Sequence, residues 1–140
     1  MSDTIEVVYA EERIQVVESD SNLYITLDTS SMSVLPSTTE TLDAEDAISG
    51  GYNLVFVAGN GTHVTLTSTP SIAAGTTGQM LVLLGTNDSA TVTLQDNSVL
   101  DGSTLHLHHA QNHTLGLNDS ISFIYSGTAW IQMAPLSDSA

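Results

Sequence analysis

The alternation of apolar and polar positions is clearest in residues 75–95. Met80-Leu81-Val82-Leu83-Leu84 is an unbroken apolar run of strand length, the pattern of a strand covered on both faces. Gly85-Thr86-Asn87-Asp88-Ser89 follows, with residue types that accept positive φ or bond their own backbone, so the chain turns there. Thr91-Val92-Thr93-Leu94 then alternates, with Val92 and Leu94 on one face. The stretch predicts a β-hairpin.

Other segments repeat this plan. Residues 48–67 can be laid over residues 72–95. Each has a Gly-rich lead-in, an apolar strand, a Gly/Asn turn and an alternating strand, and Asn60-Gly61 is a short-range turn signal of its own. A looser third copy spans residues 116–133, and Leu105-His106-Leu107-His108 between copies two and three reads as a further strand. The copies are unequal in length, which argues against a solenoid.

Towards the amino terminus, residues 5–9, 14–18 and 23–27 are short β-prone runs. Leu23, Ile25 and Leu27 of the third share one face. The first two suit an extended arm as well as a sheet. Residues 30–41 read as an irregular Ser/Thr-rich surface connection containing Pro36, and residues 42–48 as the one short helical turn, stopped at Gly50-Gly51. Regular spacing of about nine to eleven short strands predicts an all-β protein, an antiparallel β-sandwich or jelly-roll-like domain. On this reading residues 1–40 form an extended N-terminal arm with short strands and residues 41–140 the sandwich.

The composition adds a sign to this picture. The 140 residues hold 16 acidic side chains against a single Lys or Arg, which is Arg13, for a formal net charge of −15. Such a chain does not neutralise phosphates, so nucleic acid and anionic membranes are not expected partners. With no cysteine there is no disulfide framework and no thiolate chemistry. The first residues carry neither a basic stretch nor an apolar signal core, and no apolar run approaches the ~20 residues of a membrane helix. Synthesis in a cytoplasm without classical export is the expectation. The Asn-x-Ser/Thr triplets at Asn60, Asn87, Asn112 and Asn118 would matter only in a secretory pathway.

Candidate chemistry is thin. A Ser-His-Asp set can be assembled on paper from 18 serines and 5 histidines, and that abundance empties the match of meaning; there is no Gly-x-Ser-x-Gly elbow. The acids sit in turn settings such as Asn87-Asp88 and Asn118-Asp119, where they serve backbone geometry. No enzyme activity and no cofactor are expected. His106, His108, His109 and His113 lie close in sequence, and on a strand His106 and His108 share a face. Two imidazoles close a metal site only where several chains meet on a symmetry axis. Trp130 alternates away from Ile131 and Met133, which places it at a subunit contact, under a loop or on a carbohydrate platform.

Residues 72–97 and 114–132 carry two further patterns. They are Gly75-Thr76-Thr77-Gly78-Gln79, a Gly-x-x-Gly-Gln lead-in, and Leu115-Gly116 followed by Asp119, Ile121, Phe123-Ile124-Tyr125, Gly127 and Trp130. This half of the chain resembles a segment common in virion proteins of tailed bacteriophages, in fibres, head decorations and related appendages. The resemblance implies a structural β-appendage. The size suits a homotrimeric capsid decoration (cement) protein on the outer capsid surface, bound to the major capsid protein and to itself. It also implies the rivals, a receptor-binding fibre domain or a polysaccharide-degrading virion enzyme. His-x-His pairs at trimer axes resemble metal elements of phage spike tips, which makes His106 and His108 the candidate metal ligands. Ile5, Val7, Val8, Tyr9, Ile14, Val16 and Val17, with Trp130, are the candidate contacts to shell or neighbouring subunit, the N-terminal ones by adding an edge strand.

Overall fold

The computed structural model describes residues 3–9, 12–19, 22–28 and 36–135. Among them every regular element except one three-residue turn is a strand, so the protein is all-β. The chain divides into two units, Met1–Val34 and Leu35–Ala140.

The first unit is a meander of β1 (Asp3–Tyr9), β2 (Glu12–Ser19) and β3 (Asn22–Asp28), in the order β1-β2-β3 and antiparallel throughout. These runs therefore form a sheet of their own and are not strands of the main sheet. They pair with each other because their β-branched residues fall in register, Ile5 opposite Val16 and Val16 opposite Ile25. Ile5, Val7, Val8, Tyr9, Ile14, Val16 and Val17 lie on these strands. Their backbone is described, and the contacts expected of their side chains lie outside the described atoms.

The second unit holds β4 (Ser37–Leu42), β5 (Leu54–Gly59), β6 (Val64–Thr65), β7 (Met80–Gly85), β8 (Val92–Leu94), β9 (Leu105–His106), β10 (His113–Leu115), β11 (Ser120–Tyr125) and β12 (Trp130–Gln132). They make a six-stranded sheet, β4-β5-β7-β11-β12-β9, and a three-stranded sheet, β10-β8-β6. Both sheets are mixed, not antiparallel. The β4–β5, β5–β7, β9–β12 and β6–β8 pairs run parallel; β7–β11, β11–β12 and β8–β10 run antiparallel.

The two expected hairpins are not formed. β5 and β6 lie in different sheets, and so do β7 and β8. Each apolar strand turns a corner into the other sheet, and it pairs with its counterpart in the next copy instead of with its sequence neighbour. Leu54 meets Val82 and Val64 meets Val92, an offset of 28 in both sheets. The copies therefore stack as parallel rungs, solenoid-fashion, which their unequal lengths had argued against. Ile48 bridges Ile72 at an offset of 24, so the four extra residues lie in the lead-in that contains Gly75-Thr76-Thr77-Gly78. The third copy runs the other way, β11 against β7, and so does β10 just before it, against β8. The corners are closed by close backbone approach. A Cβ on Gly59 would strike the Thr62 carbonyl, and one on Gly85 the Gly116 carbonyl.

Residues 37–41, expected to be irregular, and Leu42, expected to open a helical turn, form β4 because Thr38, Thr39 and Thr41 suit an edge strand, and all six residues pair with β5. Residues 42–48 make a turn, not a helical one. The Asp43 N–H donates to Asp46 Oδ2 at 2.9 Å and the Asp46 N–H to the Asp43 carbonyl at 3.1 Å.

One face of every strand of the second unit feeds a single apolar core. Val55, Val57, Leu81, Leu83, Ile121, Phe123 and Trp130 from the larger sheet join Val64, Val92, Leu94 and Leu115 from the smaller. This core is the rigid base from which the remaining surfaces are presented.

Candidate functional site

The histidine segment does not stay a strand. Leu105 and Leu107 are buried as expected, but β9 ends at His106. The Leu107 N–H donates to Asp96 Oδ2 at 2.7 Å and the His108 N–H to Gln132 Oε1 at 2.7 Å, so side-chain acceptors replace the ladder. The chain then enters a 3-10 turn, His108–Ala110, with positive φ at His109 (61°) and Ala110 (52°). His106 is exposed on the outer side of the sheet, opposite Ile131, while His108 is half-buried in the turn. β9 thus carries His106 alone of the pair, and His108 opens the turn that follows. Among the described residues no three His, Cys, Asp or Glu side chains are grouped to bind an ion.

His113, at the start of β10, falls on the inner side opposite Leu94. Its Nε2 is enclosed with no hydrogen-bond partner. Burial pushes its pKa below the usual histidine value. The charges of His108 and His109 act in the same direction, against the opposing effect of a His108 backbone group and the Gln132 side chain. Because the folded pKa is depressed, the unfolded chain binds the proton more tightly. Stability from this group is full above the unfolded pKa of about 6.5 and is lost as pH falls through that value towards the folded one. Urea titrations at pH 7.5 and pH 5.5 should give a lower midpoint at the acid pH, and His113→Gln should flatten that difference. An equal pH response in both chains would rule out His113 as its source.

Asp96 is only 2% exposed and holds the loop between β8 and β9. Oδ1 accepts from the Ser98 N–H at 2.8 Å and Oδ2 from Leu107. Burial alone raises a carboxyl pKa. Here the hydrogen bonds from the Ser98 side chain and the Leu107 and Ser98 backbones, with the charge of His106, outweigh it and hold the group below the usual carboxylate value. In sequence Gln95-Asp96-Asn97 is one more turn setting for an acid. Its long-range partner, Leu107, left no local signal.

Trp130 is fully buried, at 0% exposure, so it is neither a subunit contact nor a carbohydrate platform. Its ring lies 4.8 Å from that of Tyr125 between centroids, and Nε1 donates to the Ala73 carbonyl at 3.0 Å. A Cβ at Gly75 would come within 2.6 Å of the indole, so glycine is required there by close approach. Gln79 completes the socket. Its Nε2 donates to the Gly50 and Tyr52 carbonyls at 2.8 and 2.9 Å, and its Oε1 accepts from the Thr76 N–H at 2.9 Å. Backbone bonds from Gly78 to Tyr125 and from Tyr125 to Gln79 tie the lead-in to β11. The two motif patterns thus meet in space, as the parts of one packing lock.

No known protein family, curated protein or solved structure matches this chain.

The outer face of the larger sheet of the second unit carries a series of apolar side chains. Met80 (51% exposed), Ile124 (38%) and Met133 (46%) lie there. Half-buried Leu54, Phe56 and Ala58 of β5, Val82 and Leu84 of β7 and Ile131 of β12 lie between them. The run from Met80 to Leu84 is thus covered by the chain's own described residues on one face only. Glu40 is the one charged residue in the six strands, and its carboxylate turns to the Ser49 N–H, accepting at 3.2 and 3.3 Å. An open groove of about 360 Å³ lined by Asn53, Gly78, Gln79, Met80 and Val82 indents this side. Among the described residues no helix is long and apolar enough to cross a membrane.

Proposed function

We propose that this is a structural virion protein, a capsid decoration protein whose larger sheet docks on the outer surface of the shell. The observation that carries the reading is the uncharged apolar outer face of that sheet in a chain of net charge −15. A sheet face of this kind marks an interaction site, and docking there takes no carboxylate out of water. Three of its strands, β7, β11 and β12, come from the segment that resembles phage appendages. The finer architecture is read as sandwich-like, two sheets about one core, with parallel rungs where a jelly roll has antiparallel strands. The acidic remainder of the surface keeps copies from adhering to each other or to DNA at random.

The test is addition of purified protein to heads that lack it, followed by sedimentation. The wild type should co-sediment with the shells. Val82→Lys and Ile124→Lys should weaken binding by about 10-fold or more, because a lysine in the buried centre of an interface is left without a partner. Both positions are partly open in the free domain, so melting should move only slightly. Binding unaffected by either lysine would remove the sheet face from the interface.

A further inference from the structure

The chain has four methionines and no cysteine, so every sulfur in it is a thioether. Met1 and Met32 lie outside the described residues; Met80 and Met133 are described, and both are exposed. With no thiol to compete, an exposed thioether is the group that a peroxide oxidises. Trp130, the other oxidation-sensitive side chain of the second unit, is fully buried.

Strand pairing puts both sulfurs on the outer face of the larger sheet. Met80 pairs with Ile124 and Ile124 with Ile131, so these three form one cross-strand rank. Val82 follows Met80 by two residues on β7, lies on the same side and pairs with Ser122. Met133 extends β12 by one residue, its N–H donating to the Ser122 carbonyl at 2.9 Å. It alternates with buried Gln132 and so shares the outer side with Ile131. Met80 therefore borders both Val82 and Ile124, and Met133 closes the same patch on the β12 side. Met80 also lines the open groove, where small solutes reach it.

As thioethers the two side chains belong to the apolar patch. Hydrogen peroxide changes their class. The sulfur lone pair takes one peroxide oxygen, the S–O bond forms as the O–O bond breaks, sulfur gives up two electrons and the peroxide is reduced to water. The product is a polar sulfoxide, and burying it against a partner without a donor is unfavourable. We infer that Met80 and Met133 are an oxidation switch on this face: peroxide converts both to sulfoxides, and the domain releases the surface it docks on. The inference rests on the docking reading for what the face binds and adds the residues that control it.

The test runs the sedimentation with heads on untreated and peroxide-treated full-length protein. Peptide mass analysis should find the added oxygen at Met80 and Met133, and binding should weaken by about 10-fold or more. Trp130 fluorescence should be the same in every sample, which separates a changed face from an unfolded domain. Methionine sulfoxide reductases for both sulfoxide epimers should restore binding. In the double variant Met80→Leu, Met133→Leu, treatment should leave binding where it was, whatever that variant's own affinity. Untreated protein that fails to bind heads overturns the docking reading and the switch with it. Treated protein that carries both sulfoxides and binds like the untreated overturns the switch alone. So does a native fold in which Met80 and Met133 resist peroxide, or a double variant that still loses binding on treatment.

Discussion

Trp130→Ala should destabilise the second unit by about 3–5 kcal/mol, the range for removing a large aromatic from a packed core. For a unit of this size that lowers the melting temperature by at least about 10 °C. Two losses add. The indole leaves a cavity beside Tyr125 and Gly75, and the Ala73 carbonyl loses its donor. Trp130→Phe should cost less than alanine, because it keeps much of the volume and loses the hydrogen bond. Far-UV circular dichroism melts of the three chains make the comparison. An alanine variant that melts with the wild type would contradict the lock described between residues 75–79 and β11–β12.

The second large effect is expected at Asp96. Asp96→Ala removes the acceptor of the Leu107 and Ser98 N–H groups, and a buried donor left unpaired costs about 1–3 kcal/mol. The total expected for the variant is about 2–4 kcal/mol at pH 7. The sign of the pH dependence follows from the depressed folded pKa. The contribution is complete above the unfolded carboxylate value of 3.8 and disappears as pH falls through the folded one. Wild type and variant should therefore converge in stability under acid, measured by denaturant titration from pH 7 down to pH 2.5. A gap that stays constant over that range would mean the carboxylate charge contributes nothing.

Strand positions were the legible part of this sequence. Met80–Gly85, Leu54–Gly59 and Ser120–Tyr125 announce themselves through apolar runs and period-two alternation. Partnership was not legible. A run followed by Asn60-Gly61 and an alternating run carries the same local pattern whether the chain folds back or turns a corner into a second sheet. The deciding contacts, Leu54 with Val82 and Val64 with Val92, are distant in sequence. Residues 37–42 were missed because threonine and serine look alike in a loop and on an edge strand. His106 and His108 were placed on one strand face because alternation continues past Leu105 in sequence. The strand itself ends at His106, where Asp96 and Gln132, acceptors supplied from other elements, take the Leu107 and His108 N–H groups. For Trp130 the alternation gave a side but no cover. Only the meeting of Gly75, Ala73 and Tyr125 shows that the side is the interior.

The parallel rungs also bear on how quickly this domain forms. A hairpin rewards its first few residues of closure within microseconds, and the chain contains two sequences that look made for it. Neither closes. The rung contacts between the copies, Leu54 with Val82 in the larger sheet and Val64 with Val92 in the smaller, each require a loop of 28 residues to be drawn in. High contact order of this kind puts folding in the millisecond-to-second range. Until the rungs meet, the apolar strands Leu54–Gly59 and Met80–Gly85 lack each other as partners. The negative charge read above as a property of the finished surface would then serve earlier, holding unfinished chains apart while their rungs find each other.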